Sequence, residues 1–159
     1  MEKEIEIQMS AKMLYDYMLY HTYTSFAGIL GAAIGLLFIV AFFFDMGLIY
    51  LIAGLVVTLY LPWTLFLRAN NQMKTTKVFQ KPLHYTFSEE GITISQEEMS
   101  DTIPWDLIIK VVSTNKSIII YTSKINASIL PKYQLGEELS DVIQIISTNM
   151  APSKVNIKG

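Results

Sequence analysis

Two apolar runs, residues 26–44 and 46–67, are separated by a single charge at Asp45. Each run is about the length a helix needs to cross a ~30 Å hydrocarbon core. Inside such a core the backbone must satisfy its own donors and acceptors, so both runs are predicted to be helical. Together they predict a helical hairpin in a membrane. The competing arrangement buries the same hairpin at the centre of a small soluble protein. It is disfavoured because the remaining chain is too short to surround two helices of roughly 30 Å. Over all 159 residues the chain is 52% hydrophobic and 16% charged. Those averages combine two solvents: residues 26–67 hold one acid and no base, and the segment after them carries most of the Lys and Glu.

Charge next to the runs sets orientation. Residues 68–81 hold Arg68, Lys74, Lys77 and Lys81 with no acid, and bases beside a span favour the cytoplasmic side. Two spans return the chain to the side it started from, so both termini are expected in the cytoplasm of a multi-pass cell-membrane protein. The first 25 residues hold Glu2, Glu4, Glu6 and Asp16 against Lys3 and Lys12. That is unlike the basic start of a signal peptide, and neither run is read as cleaved. The chain has no cysteine, which excludes disulfides and cysteine-ligated metal and leaves the redox compartment open.

The stretch Glu4-Ile5-Glu6-Ile7-Gln8-Met9 alternates with a period of two, the mark of a strand with one buried face. It is too short to stand alone, which makes it a candidate to join the C-terminal sheet. Ser10 is placed to cap a helix from about Ala11. Leu14, Tyr17, Met18 and His21 share one face of it. Tyr15, Tyr17, Tyr20 and Tyr23 suit a headgroup zone. This segment is either a short interfacial helix or an early start of the first span near residue 12.

In the first span Ala27, Gly31 and Gly35 recur every four residues. Such a stripe lets two helix backbones approach closely. The facing helix is either the second span, through Gly54, or another copy of the chain, so a homo-oligomer is among the expected partners. Asp45-Met46-Gly47 forms the turn, with no room for a domain outside. Pro62 is expected to break a bond near the end of the second helix and to kink it. Neither span holds a charged side chain, which weighs against a channel or transporter made by this chain alone. Lys74, Lys77 and Lys81 are candidate lipid-head contacts, each worth ~1 kcal/mol near an acidic surface.

From residue 82 the pattern changes to short β-prone runs. Residues 84–88 and 92–95 read as two strands around Glu89-Glu90-Gly91, where glycine supplies the positive φ of a tight turn. Residues 97–101 read as a polar bend and Pro104-Trp105-Asp106 as a corner. Strands follow near 107–112, 117–121 and 125–130. Leu135, Leu139, Val142, Ile143 and Ile146 then share one helical face, with Gly136-Glu137-Glu138 at its acid-favouring start. Residues 150–159 read as a frayed, flexible tail. About 70 residues make a marginal core, and the strand at residues 4–9 is a natural completion.

Trp105 is read as a structural anchor of the corner through its large apolar area, in preference to a ligand platform. Lys132, after Pro131, either binds a phosphate, faces water or faces Asp106. His21 and His84 are isolated, and no metal-ligand spacing occurs. No serine has a visible base partner, and no glycine-rich nucleotide loop is present. No catalytic, cofactor-binding or metal residue is therefore expected, and no cofactor. From residue 82 onward there are nine acids and six bases, a balance that argues against nucleic acid.

Three stretches carry a resemblance: Tyr85-Thr86-Phe87-Ser88-Glu89-Glu90-Gly91-Ile92, Ile103-Pro104-Trp105-Asp106-Leu107-Ile108 and Ile129-Leu130-Pro131-Lys132. With the order strand, helix, two spans and β-rich domain, the chain resembles the YcxB-like protein family over nearly its whole length. That family is similar to bacterial pleckstrin-homology-like membrane proteins, whose domain is a bent sheet closed by a C-terminal helix. The resemblance implies this fold and brings no catalytic residues, substrate or cofactor. Five or six strands are legible, against seven in a full pleckstrin-homology fold.

The expected fold is an α+β membrane protein: a two-helix transmembrane hairpin, then a small antiparallel β domain closed by a C-terminal helix, pleckstrin-homology-like. The expected segments are 1–25 (strand and amphipathic or interfacial helix), 26–67 (hairpin), 68–81 (basic polar linker), 82–149 (cytoplasmic domain) and 150–159 (tail). The expected function is a non-enzymatic membrane adaptor or regulator whose domain binds a protein, with strand addition at a sheet edge as one mode. An acidic-lipid-binding module is the alternative, and a membrane enzyme or transport-complex subunit comes after both. Membrane lipids and a protein are the expected partners.

Overall fold

The computed structural model describes residues 2–124 and 126–157. The chain divides into two compact units. One comprises the residues up to Met13 together with those from Met73 onward, and the other is Leu14–Gln72. The architecture is mixed α and β.

The helical unit is built from most of α1 (Ala11–Tyr23), all of α2 (Phe26–Phe42) and most of α3 (Leu48–Thr75). α1 and α2 meet at a bend of 82°. Ser25 makes that bend, because its hydroxyl accepts from the Gly28 N–H at 3.1 Å and caps α2. The turn between α2 and α3 places Asp45 at φ +59 and Gly47 at φ +98. Among the described residues α3 alone is long and apolar enough to cross a membrane. α1 and α2 together meet the same criterion only as a bent pair. α2 has 17 residues, at the lower end of spanning length.

One expectation for this region changes, the start of the linker. α3 continues past Pro62. Residues 68–75, expected to begin a linker, are its last two turns, because Asn70, Asn71 and Gln72 are tolerable helix formers once the helix is under way. Only residues 76–82 connect α3 to the first strand that follows, and Lys77–Gln80 among them form a 3₁₀ turn.

The second unit holds two four-stranded sheets. The first has the order β1-β2-β3-β4: β1 (Lys3–Ile7), β2 (Leu83–Phe87), β3 (Gly91–Gln96) and β4 (Met99–Pro104). β1 pairs antiparallel with β2, Ile5 opposite Tyr85 and Ile7 opposite Leu83. The N-terminal alternation therefore finds its sheet some eighty residues along the chain. Ile5 and Ile7 are both buried, as their spacing requires.

The other sheet has the order β7-β6-β5-β8: β5 (Lys110–Ser113), β6 (Ser117–Tyr121), β7 (Ala127–Pro131) and β8 (Val155–Asn156). Every residue of β6 is buried, as befits an interior strand covered on both faces. The sequence expectation of a strand beginning at Ile125 touches a residue outside those described. After β7 come a short helix α4 (Lys132–Leu135), a 3₁₀ turn and α5 (Leu139–Asn149). α5 buries Val142, Ile145 and Ile146 against a core that includes Phe87, Ile92, Ile108, Ile118 and Leu130.

Gly136-Glu137-Glu138 form the 3₁₀ turn that leads directly into α5, and Gly136 at φ +52 also ends the short α4. Three local expectations are corrected. Gly91 is not a positive-φ turn residue. A Cβ there would lie 2.3 Å from the Ile103 carbonyl oxygen, so glycine is required by the close approach of β4. The polar bend at 97–101 is only the two residues Glu97-Glu98, and β4 already starts at Met99. Residues 150–157 are not a loose tail. Val155 pairs in parallel with Val111, and the Lys154 ammonium donates to the Ile108 carbonyl at 3.1 Å.

Candidate functional site

β4 lies at the edge of its sheet, hydrogen-bonded on one side to β3. Five of its six residues are exposed and Ile103 is half-buried. The turn that launches it has φ +54 at Glu97 and no positive φ at Glu98, the pattern of a type II′ hairpin turn. Glycine would normally sit at that first position. Its absence is why residue spacing alone concealed the hairpin and half of β4. Lys81 forms an ion pair with Glu97, and the Gln96 side chain donates to the Val78 carbonyl at 2.9 Å and the Lys81 carbonyl at 3.1 Å. These contacts hold the hairpin against the segment entering β2. On the outer face Thr93 and Thr102 join hydroxyls at 2.8 Å.

Two clefts border β4. One, of about 580 Å³, is lined by Val78, Leu83, Ile94 and Gln96 together with Met99 and Asp101 of β4 itself. The other, of about 510 Å³, adjoins the end of β4 at Pro104 and is lined by Glu89, Glu90, Trp105, Asp106, Met150 and Lys154.

The residues singled out from sequence are scattered over the two units. Trp105 is 8% exposed and its indole N–H donates to the Ser88 carbonyl at 3.0 Å. It joins the corner between the sheets to the β2–β3 turn. Lys74 and Lys77 are exposed near the end of α3 and in the following turn. Lys81 is committed to Glu97. Lys132 is half-buried at the start of α4, where its backbone N–H donates to the Lys116 carbonyl at 2.8 Å. In the stripe of small residues, Gly35 is buried against Thr58: a Cβ there would lie 2.5 Å from its hydroxyl oxygen. A Cβ on Gly54 would lie 2.9 Å from the Gly35 carbonyl oxygen. Gly31 faces Leu61 more loosely, at 3.7 Å, and Ala27 is exposed.

Two titratable groups are shifted in the sheet unit. Hydrogen bonds to Asp141 and then Glu138 hold the Lys3 ammonium well above the ordinary lysine range; the ion-pair distances are 2.8 and 2.6 Å. This pins β1 to α5. Burial raises the Tyr85 phenol, against a hydrogen bond with Ser128 that lowers it. Among the described residues no group of three or more His, Asp or Glu is placed to hold a metal ion.

The family model described as YcxB-like protein matches residues 87–146. The match runs from the end of β2 to α5 and supports the family assignment. It covers less of the chain than the resemblance implied, leaving out β1 and the three long helices. No curated protein matches, and no solved structure matches.

Proposed function

From the YcxB-like assignment, with the membrane-associated role it suggests, we propose that this chain is a non-enzymatic integral membrane adaptor or regulator. Its sheet unit is the cytoplasmic, protein-binding part, a pleckstrin-homology-like domain made of the two sheets and α5. α2 and the apolar part of α3 are its two spans, with both termini in the cytoplasm. The apolar surface of these helices supports the reading: Leu36, Leu37, Val56 and Leu59 are 60–65% exposed, an exposure suited to lipid rather than water. Gly35 and Gly54 are the close contacts within this hairpin, and Trp105 is the anchor of the corner.

The observation that carries protein binding is β4, an edge strand exposed over its length. Natural proteins usually block such an edge, because its unpaired N–H and C=O groups are a template for another strand. The exposed Lys74 and Lys77 favour a second contribution, attraction of acidic lipid heads that seats the domain, with Lys81 and Lys132 as weaker contacts.

Native co-purification of the intact chain in mild detergent, with mass spectrometry of bound protein and lipid, tests the assignment. A stoichiometric protein partner is expected, and it should remain after Lys74, Lys77, Lys81 and Lys132 are changed together to Gln. Recovery of acidic lipid alone, lost in that same variant, would replace the adaptor with a lipid-binding module.

A further inference from the structure

We propose that the free edge of β4 receives an extended, basic segment of a partner protein, whose backbone continues the sheet and whose Lys or Arg side chains meet Glu98 and Asp101. The inference rests on the adaptor reading and adds the chemistry of the partner.

Register identifies the available backbone groups. Gln96 and Met99 flank the two-residue loop Glu97-Glu98, so they form a hydrogen-bonded pair. Counting by twos, Asp101 and Ile103 also bond to β3, opposite Ile94 and Ile92. The N–H and C=O groups of Ser100 and Thr102 therefore face away from β3. Pro104 follows in the same series, where a missing N–H removes nothing from the ladder. An incoming strand would bond at Ser100 and Thr102 and lose its register at Pro104.

Charge selects the occupant. Residues 85–109 contain six acids, Glu89, Glu90, Glu97, Glu98, Asp101 and Asp106, and no Lys, Arg or His. Glu98 and Asp101 are exposed, and both line the cleft of about 580 Å³ with Ile94 and Met99. Because Asp101 bonds to β3, the residue opposite it on an added antiparallel strand would be a non-hydrogen-bonded neighbour, the closer kind, on the same face. Its side chain would enter that cleft. A lysine or arginine suits this place, with the stem along Met99 and Ile94 and the charged head at the carboxylate. A second copy of the chain suits it poorly, since two β4 edges would set acid opposite acid.

The test uses the full-length chain in nanodiscs of phosphatidylcholine alone and three labelled peptides of equal length, alternating Lys-Val, Ser-Val and Glu-Val, followed by fluorescence anisotropy. The Lys-Val peptide is expected to bind about tenfold more tightly than the Glu-Val peptide. Glu98→Lys with Asp101→Lys should invert that order. Thr102→Pro and Ser100→Pro, which remove outward N–H groups, should each weaken Lys-Val binding about tenfold while the unfolding transition persists. Equal affinity for the three peptides overturns the choice of a basic segment. Full affinity in both folded proline variants overturns strand addition. Should a proline variant fail to fold, the charge reversal still decides, because an unchanged order of affinities in it refutes the site. A stoichiometric partner in the native co-purification alongside any of these failures leaves the adaptor reading standing; no protein partner there removes that reading too.

Discussion

Gly136 sits at φ +52 with nothing within 4 Å of the position a Cβ would take. Its requirement is conformational alone, which makes it a clean probe of the break between α4 and α5. Gly136→Ala is expected to destabilise the sheet unit by about 1–2 kcal/mol, read as a lower urea midpoint with an unchanged slope. Tyr85 and Lys3 set the alkaline limit. Burial favours the neutral Tyr85 phenol, and the ion pairs favour the charged Lys3 ammonium, so both groups hold their protons more tightly when folded. Their contributions are complete below the ordinary tyrosine and lysine values of about 10. They are lost as pH rises from there through the folded values. Unfolding free energy should fall above about pH 10, and Tyr85→Phe should make that fall shallower; an identical alkaline profile in the variant would count against the Tyr85 contribution.

At the scale of elements, the stripe Ala27, Gly31 and Gly35 divides. Gly35 meets α3 at Thr58, Gly54 meets the backbone of α2, and Ala27 faces outward. Gly54→Val should therefore separate α2 from α3 and lower the thermal midpoint of the protein in detergent micelles, because beside the Ile39 side chain the Ile39 N and the Gly35 oxygen crowd the same position, and these are backbone and cannot yield. Ala27→Leu should leave that midpoint in place. If cross-linking in micelles shows a dimer that Ala27→Leu abolishes, the outer end of the stripe joins two copies; a dimer unaffected by it lies elsewhere.

On the scale of the whole chain, the sheet unit is discontinuous in sequence. Its first strand and its remaining seven are separated by the helical unit. β1 contributes the buried Ile5 and Ile7, and Met9 follows in the same core. Fully burying one such side chain stabilises by about 1.5–3 kcal/mol, a large share of the stability of a small domain. Deleting residues 2–9 should therefore abolish the cooperative unfolding transition of the sheet unit. A synthetic peptide of those residues, added in trans, should restore it in part by pairing with β2. A truncated chain with an unchanged transition would mean that β1 is dispensable.

The sequence by itself determined whatever depends on local period and composition. The alternation of residues 4–9, the two apolar runs, the strands around β6 and the amphipathic face of α5 follow from side-chain spacing on an extended or helical backbone. The corner at Pro104-Trp105-Asp106 was legible because proline and a large indole restrict the chain strongly. Tertiary structure decided the rest. The partner of β1 is about eighty residues away, and no local signal names it. β8 is two residues long and exists only because Val111 and Val112 offer it an edge. The carboxylates of Asp141 and Glu138 converge on Lys3 only after α5 folds back. The free edge of β4 was hidden for the same reason. Glu97 adopts a glycine-like φ, a conformation that sequence disfavours and that its ion pair with Lys81 and the bond from the neighbouring Gln96 side chain to the Val78 carbonyl sustain.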